Sequence, residues 1–201
     1  GKWVVNELNL DGFRMDAVKH ISGDFIKEFL IEVRKVYGEE FYSVGEYWKD
    51  DLDTLKTYLE NIGYETDLFD VGLHFNFHKA SVEKENYDLT TILDNSVMLM
   101  DPIKAVTFVD NHDSQKGSAL ESEIESWFIP HAYAIILLSE KGYPCLFYGD
   151  YYGVGDNKSP HGWVIDKLLY VRRNNAYGEQ INYFDDPNII AFYRKGRENE
   201  I

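Results

Sequence analysis

Asp11-Gly12-Phe13-Arg14-Met15-Asp16 is followed within a few residues by Gly23-Asp24-Phe25-Ile26-Lys27-Glu28-Phe29-Leu30-Ile31-Glu32-Val33-Arg34-Lys35-Val36-Tyr37-Gly38, and then by Phe41-Tyr42-Ser43-Val44-Gly45-Glu46. The middle segment places Phe25, Ile26, Phe29, Leu30, Val33 and Val36 on one face of a helix, and Gly38 supplies a C-cap. The flanking segments are short and apolar, and each ends in an acid, as strands entering a loop do. A strand, a helix and a strand in that order form a βα unit, and units of this kind pair their strands in parallel.

The pattern continues outward. A helix is expected over about Leu52–Asn61, a third strand around Leu68–Leu73, then a long polar loop and a helix near Leu89–Asn95. A fourth strand is expected at Ala105–Val109 with a long helix from about Glu121 to Glu140. A fifth strand, Cys145–Tyr148, leads to a helix of about Gly162–Arg173. The ending differs: Gln180–Phe184 and Ile189–Tyr193 flank Asp185-Asp186-Pro187-Asn188, a turn-rich tetrapeptide that predicts a β-hairpin. Residues 1–177 therefore read as parallel α/β structure, and residues 178–201 as the beginning of an antiparallel unit.

Five βα units leave two open strand edges, whereas eight close into a barrel without any. A (β/α)8 barrel takes about 250 residues, so the expectation is a partial barrel with three strands contributed by an N-terminal stretch. A chain of this kind is expected to be poorly soluble or inactive without that stretch. An open doubly wound sheet is the alternative, but Gly153-Val154-Gly155 lacks the third glycine of a nucleotide loop and follows the fifth strand, not the first.

Composition narrows the function classes. Hydrophobic residues make up 44% of the 201 and aromatic residues 15%, enough for a packed core. The formal charge of −15 repels phosphate backbones and argues against a nucleic-acid partner. No run reaches the ~18 apolar residues of a membrane span. The single cysteine, Cys145, excludes an internal disulfide framework and reads as a small core residue.

Acids at the carboxyl ends of parallel barrel strands sit where such barrels do their chemistry. Asp16, Glu46 and Asp113 occupy such positions, the last in Phe108-Val109-Asp110-Asn111-His112-Asp113. Any one of them alone also serves as a loop cap or a solvated side chain. Together they suit glycoside cleavage, which needs one carboxylate as nucleophile and one carboxylic acid to protonate the leaving oxygen. Arg14 shares the side of Asp16 on the strand and would hold it ionised. The acid, Glu46, needs neighbours that favour its protonated form, and Trp48 is a candidate. His74 and His78 lie four apart, but no acid completes a metal set, so packing is the expected role. His161 and Trp163 fall in a loop where substrates of barrels pass, and sugar contact there is an open alternative.

Asp11–His20 resembles the fourth-strand motif of the α-amylase family, glycoside hydrolase family 13. Val44–Trp48 resembles its fifth-strand motif, and Phe108–Asp113 its seventh. Leu68-Phe69-Asp70-Val71, Ser126-Trp127-Phe128 and Gly142-Tyr143-Pro144 are similar to bacterial liquefying-type members. The resemblance implies a (β/α)8 TIM barrel represented from strand 4 to strand 8, followed by the start of an antiparallel β domain. It implies retaining endo-hydrolysis of α-1,4-glucosidic bonds in starch, glycogen or maltodextrin, by a protein that is monomeric when complete. Asp16 matches the nucleophile, Glu46 the acid/base and Asp113 the transition-state stabiliser. Arg14, Lys19, His20, Trp48 and His112 match substrate-binding positions, Trp48 as a sugar-stacking ring. The main-chain carbonyl of His20 matches one ligand of a structural calcium whose other ligands fall in the family's preceding part; one carbonyl cannot hold that ion. A second calcium site around Asp185–Asn188 stays open, since Asn188 stands where an acid would bind more strongly. Other readings are a family member with α-1,6 or transglycosylase specificity, a chain that only binds glucan, and a metal-dependent barrel enzyme of the enolase type. Secretion and cytoplasmic residence are equally compatible with the sequence.

Overall fold

The computed structural model describes residues 1–197. After a short helix α1 (Lys2–Leu8) come β1 (Gly12–Met15), α2 (Gly23–Tyr37), β2 (Tyr42–Gly45), α3 (Leu52–Asn61), β3 (Asp67–Phe69), α4 (Val71–Glu83), α5 (Val97–Met100) and β4 (Ala105–Phe108). The chain continues through α6 (Ile129–Leu138), β5 (Tyr143–Cys145), α7 (Tyr148–Tyr152), a tiny ribbon of β6 (Gly153–Val154) and β7 (Asn157–Lys158), and α8 (Gly162–Asn174). It ends in β8 (Gln180–Asp186) and β9 (Ile189–Arg194).

Strands β1 to β5 form one parallel sheet in sequence order. The register aligns Arg14 with Val44, Val44 with Asp67, Phe69 with Val106, and Phe108 with Cys145. Because side chains alternate along a strand, these residues share one face. That face is concave. Tyr42 of β2 and Tyr143 of β5 are three strands apart, roughly 14 Å on a flat sheet, yet their ring centroids lie 6.4 Å apart. The helices cover the opposite face. There Leu55 and Leu59 of α3, Leu73 and Phe77 of α4, and Tyr133 and Ile136 of α6 meet Leu68 and Ala105 of the sheet, all fully buried. Each such large side chain contributes about 1.5–3 kcal/mol relative to exposure. The architecture is thus a partial α/β barrel with an antiparallel hairpin, β8–β9, beyond it. Its turn docks back on the body, since Leu89 donates its N–H to Pro187 O at 2.9 Å.

The boundaries of α2 and α3 are as the sequence predicts; five other expectations are corrected. The third strand stops at Phe69, because the Asp70 carboxylate accepts the Leu73 N–H and starts α4. That helix replaces the expected loop. The helix expected near 89–95 is only a 3-10 turn, Leu89–Thr91, followed by α5. The helix expected from Glu121 begins at Ile129, where Pro130 sits in the first turn without needing an N–H partner. The fifth strand runs over Tyr143–Cys145, two residues earlier than expected, and Tyr148 opens α7.

Candidate active site

The carboxyl ends of β1 and β2 are stitched together by two backbone–backbone bonds and two bonds that involve a side chain. Glu46 N–H continues the ladder to Met15 O at 2.9 Å, and Val18 N–H donates to Glu46 O at 3.0 Å. Between them Ala17 adopts a left-handed backbone, φ 46° and ψ 42°, which a residue with a Cβ rarely takes. That conformation turns its N–H to the Glu46 carboxylate, 3.0 Å from Oε2. On the next rim position, Lys19 Nζ donates to Trp48 O at 3.2 Å.

Arg14 joins the two acids. Its Nη1 lies 3.0 Å from Asp16 Oδ1, and its Nη2 lies 3.3 Å from Glu46 Oε2. The Asp16 side chain is 73% exposed, whereas that of Glu46 is 7% exposed. One carboxylate is therefore open to an incoming molecule and the other is clamped in the wall beside it.

Asp113 lies on the loop after β4. Its N–H donates to Asn111 Oδ1 at 2.9 Å, and its Oδ2 is 3.2 Å from His112 Nε2. Both side chains are open to solvent. Arg14 and His112 line one cavity of about 210 Å³, with Phe69, Phe108, Cys145 and Phe147 among its walls. The contacts of Asp113 stay within its own loop, to Asn111 and His112, and Asp16, Glu46 and Asp113 are not among the residues lining that cavity.

The family Alpha amylase, catalytic domain, matches residues 1–187. The chain belongs to the α-amylase family. It is 46% identical over 200 residues to the alpha-amylase of Bacillus licheniformis, covering 98% of this chain and 39% of that relative. It is also 46% identical over 197 residues to the glucan 1,4-alpha-maltohexaosidase of Bacillus sp. (strain 707), covering 98% of this chain and 38% of that one. Among solved structures, the acarbose complex of the Geobacillus thermoleovorans α-amylase superposes with a TM-score of 0.71 at 22% identity, over 98% of this chain and 48% of that chain. The chain thus spans about two fifths of the length of the curated relatives it matches.

Within this α-amylase domain the expected positions fall as follows. Trp48 belongs to the core: the residue is 8% exposed and its ring packs against His74, Phe75 and Phe108 at 5.5, 6.3 and 5.9 Å between centroids. It supports the rim from beneath and offers no open face for stacking. Lys19 and His20 lie exposed on the 3-10 turn Val18–His20. Cys145 is only partly buried and faces the cavity, and burial raises its thiol pKa. His74 packs as expected, flat on Phe108 at 5.1 Å. Exposed Trp163 has one face taken by Lys167 Nζ, 4.9 Å from its centroid, and His161 bonds to Ser126 Oγ.

Calcium needs six to eight oxygen ligands. Among the described residues no three acidic, histidine or cysteine side chains gather to hold a metal. Around the hairpin turn, Pro187 O is taken by Leu89 N–H and Asp186 Oδ1 by Asn188 N–H at 2.8 Å.

Beneath the site lies a set of buried polar groups whose burial no strand-end motif marks. Burial and the nearby Asp150 carboxylate raise the Asp110 pKa to about 8, and burial raises that of Asp150 to about 6. Burial also lowers the His74 pKa to about 4. The sequence signal was the pair of acids in Asp110-Asn111-His112-Asp113, which spacing alone does not sort into one buried and one exposed.

Proposed function

We propose that the whole protein is a retaining endo-hydrolase of α-1,4-glucan, with Asp16 as nucleophile, Glu46 as acid/base and Asp113 as stabiliser of the transition state. The observation that carries this reading is the Arg14 guanidinium held against both Asp16 and Glu46 at the carboxyl end of the parallel sheet. It brings an open carboxylate and a clamped one to the same rim, the pair that double displacement requires.

In the first step Asp16 Oδ attacks the anomeric carbon, the C–O bond to the leaving sugar breaks, and Glu46 delivers its proton to that oxygen. A covalent glycosyl ester on Asp16 results. In the second step Glu46, now a carboxylate, takes a proton from water, whose oxygen attacks the same carbon and releases Asp16. Two inversions leave the α configuration unchanged. Arg14 keeps Asp16 in place between the steps, and Asp113 and His112 reach the sugar hydroxyls across the cavity. Calcium enters this reading only as a structural ion of the whole protein, with ligands beyond the His20 carbonyl supplied from outside this chain.

In the full gene product, Asp16→Asn and Glu46→Gln should each lower turnover of soluble starch by about four orders of magnitude or more, as loss of a nucleophile or of its proton partner does in hydrolases. Near-normal turnover in either variant ends the assignment. Proton NMR of fresh products should show the α anomer first; initial β anomer would exclude double displacement. A narrower product range is a second reading, favoured by the 46% identity to a relative named for maltohexaose release. Chromatography of products from maltoheptaose and amylose separates it from random endo-cleavage.

A further inference from the structure

The loop from Val109 to Ile124 carries His112 and Asp113 over polar groups that the proposed chemistry does not use. Asp110 is 3% exposed and reaches the edge of the same cavity as Arg14 and His112. Its Oδ1 accepts from Ser114 Oγ at 2.8 Å and its Oδ2 from Ile124 N–H at 3.3 Å. Ser114 Oγ in turn accepts the Asn111 N–H at 3.0 Å, and Asn111 Oδ1 accepts the N–H groups of Asp113 and Ser114, each at 2.9 Å. The peptide that bears Asp113 is thus tied, bond by bond, to one buried carboxyl group.

That group lies near a second buried carboxyl group, Asp150, whose charge acts on it. Asp150 Oδ2 accepts the Tyr133 O–H at 2.7 Å. The Tyr133 oxygen accepts the Phe147 N–H at 3.2 Å, and Phe147 lines the same cavity as His112. From below, His74 Nδ1 donates to Val109 O at 2.6 Å, and its Nε2 faces Ser122 Oγ at 2.8 Å. Burying a carboxyl group is costly unless its hydrogen bonds are made, and a loop with no geometric task has no need of two.

We propose that Asp110 is a positioning residue: through Ser114 and Asn111 it sets the orientation of Asp113 and His112. The inference rests on the reading of Asp113 as transition-state stabiliser. A misplacement of about 1 Å costs on the order of 10²-fold in turnover. In the full gene product, with folding checked by circular dichroism, Asp110→Ala should lower kcat on maltoheptaose by about 10²-fold and Ser114→Ala by about tenfold. Each loss should be smaller when combined with Asp113→Asn than in the otherwise wild-type protein, because part of it acts through the Asp113 side chain. Additive losses, or near wild-type kcat in the single variants, overturn the proposal. If Asp110→Ala does not fold, the Ser114→Ala cycle decides alone. Near-normal turnover in Asp113→Asn by itself instead removes the assignment of Asp113 on which the inference stands.

Discussion

Ala17 donates its backbone N–H to Glu46 Oε2 at 3.0 Å, and it does so from a left-handed conformation with φ 46°. The residue after the proposed nucleophile is therefore strained in a way that orients the proposed acid/base. Left-handed backbone at a residue with a Cβ costs about 1–2 kcal/mol, and β-branching makes it worse.

Ala17→Gly should keep the N–H and relieve the strain. Stability should change by less than ~1 kcal/mol, since relief is offset by the entropy of a freer unfolded chain. Ala17→Val should destabilise by about 2 kcal/mol and lower turnover by rotating the N–H away from Glu46. Denaturant titration and kcat on maltoheptaose check both. Equal stability in the two variants would show that the backbone is not held there.

Arg14 contacts both acids through two different nitrogens, 3.0 Å to Asp16 and 3.3 Å to Glu46. Lysine carries the charge but not the planar fork. Arg14→Lys should lose about 10²-fold or more in kcat, with a smaller change in KM, because the lost contacts hold catalytic groups and not the substrate. A loss confined to KM would place Arg14 in binding alone.

Much of this arrangement is legible in the residues, and the exceptions have causes. Helices α2 and α3 stand out because each buries one stripe: Ile26, Leu30 and Val33 in the first, Leu55 and Leu59 in the second. Helix α4 hides because it is buried on several sides, and Val71, Leu73, Phe75 and Phe77 alternate as a strand would. Its start depends on Asp70, which also accepts N–H groups of Val97 and Met98 at 3.0 and 2.7 Å, contacts remote in sequence. Asp16 and Glu46 are legible because strand ends mark them. Trp48 is not, since an aromatic two residues past a strand end reads the same whether it faces sugar or core.

Two buried groups give stability pH dependences of opposite sign. His74 has its pKa lowered to about 4 by burial, so between about 4 and its ordinary value of 6.5 the unfolded chain binds a proton that the folded one does not. Its contribution is complete above that window and is lost as pH falls through it, by up to ~3 kcal/mol. Asp110, raised to about 8, holds a proton in the folded state that the unfolded state has lost above its ordinary 3.8. Stability should therefore fall as pH rises from about 4 to about 8 on its account. Urea titrations of the full gene product across pH 4–9 should show His74→Gln removing a loss of stability as pH falls from 6.5 to about 4, and Asp110→Asn removing a loss as pH rises from about 4 to about 8. Unchanged profiles would mean that neither group is shielded as the structure has it.

The last prediction concerns the opposite end of the sheet. Arg34 of α2 has 12% of its side chain exposed; Nη1 lies 2.6 Å from Glu65 Oε2, Nη2 donates to Glu65 O at 2.9 Å, and Nε donates to Phe41 O at 3.2 Å. One guanidinium thus anchors a helix to the chain entering β2 and to the chain entering β3. Removing one partner of such a shielded pair leaves the other without its counter-charge, at a cost of about 3–5 kcal/mol when burial is complete and less here, since Glu65 is 26% exposed. Arg34→Met should therefore lower stability by roughly 2–3 kcal/mol. It should leave kcat of the folded protein unchanged, because β1 and β2 carry Asp16 and Glu46 at their other ends. Arg34→Lys should recover only part of the loss, as an ammonium cannot serve a carboxylate and two carbonyls in one plane. Parallel denaturation and turnover measurements test the separation. A fall in kcat that persists below the unfolding transition would mean that strain at this end of the sheet reaches the carboxyl rim.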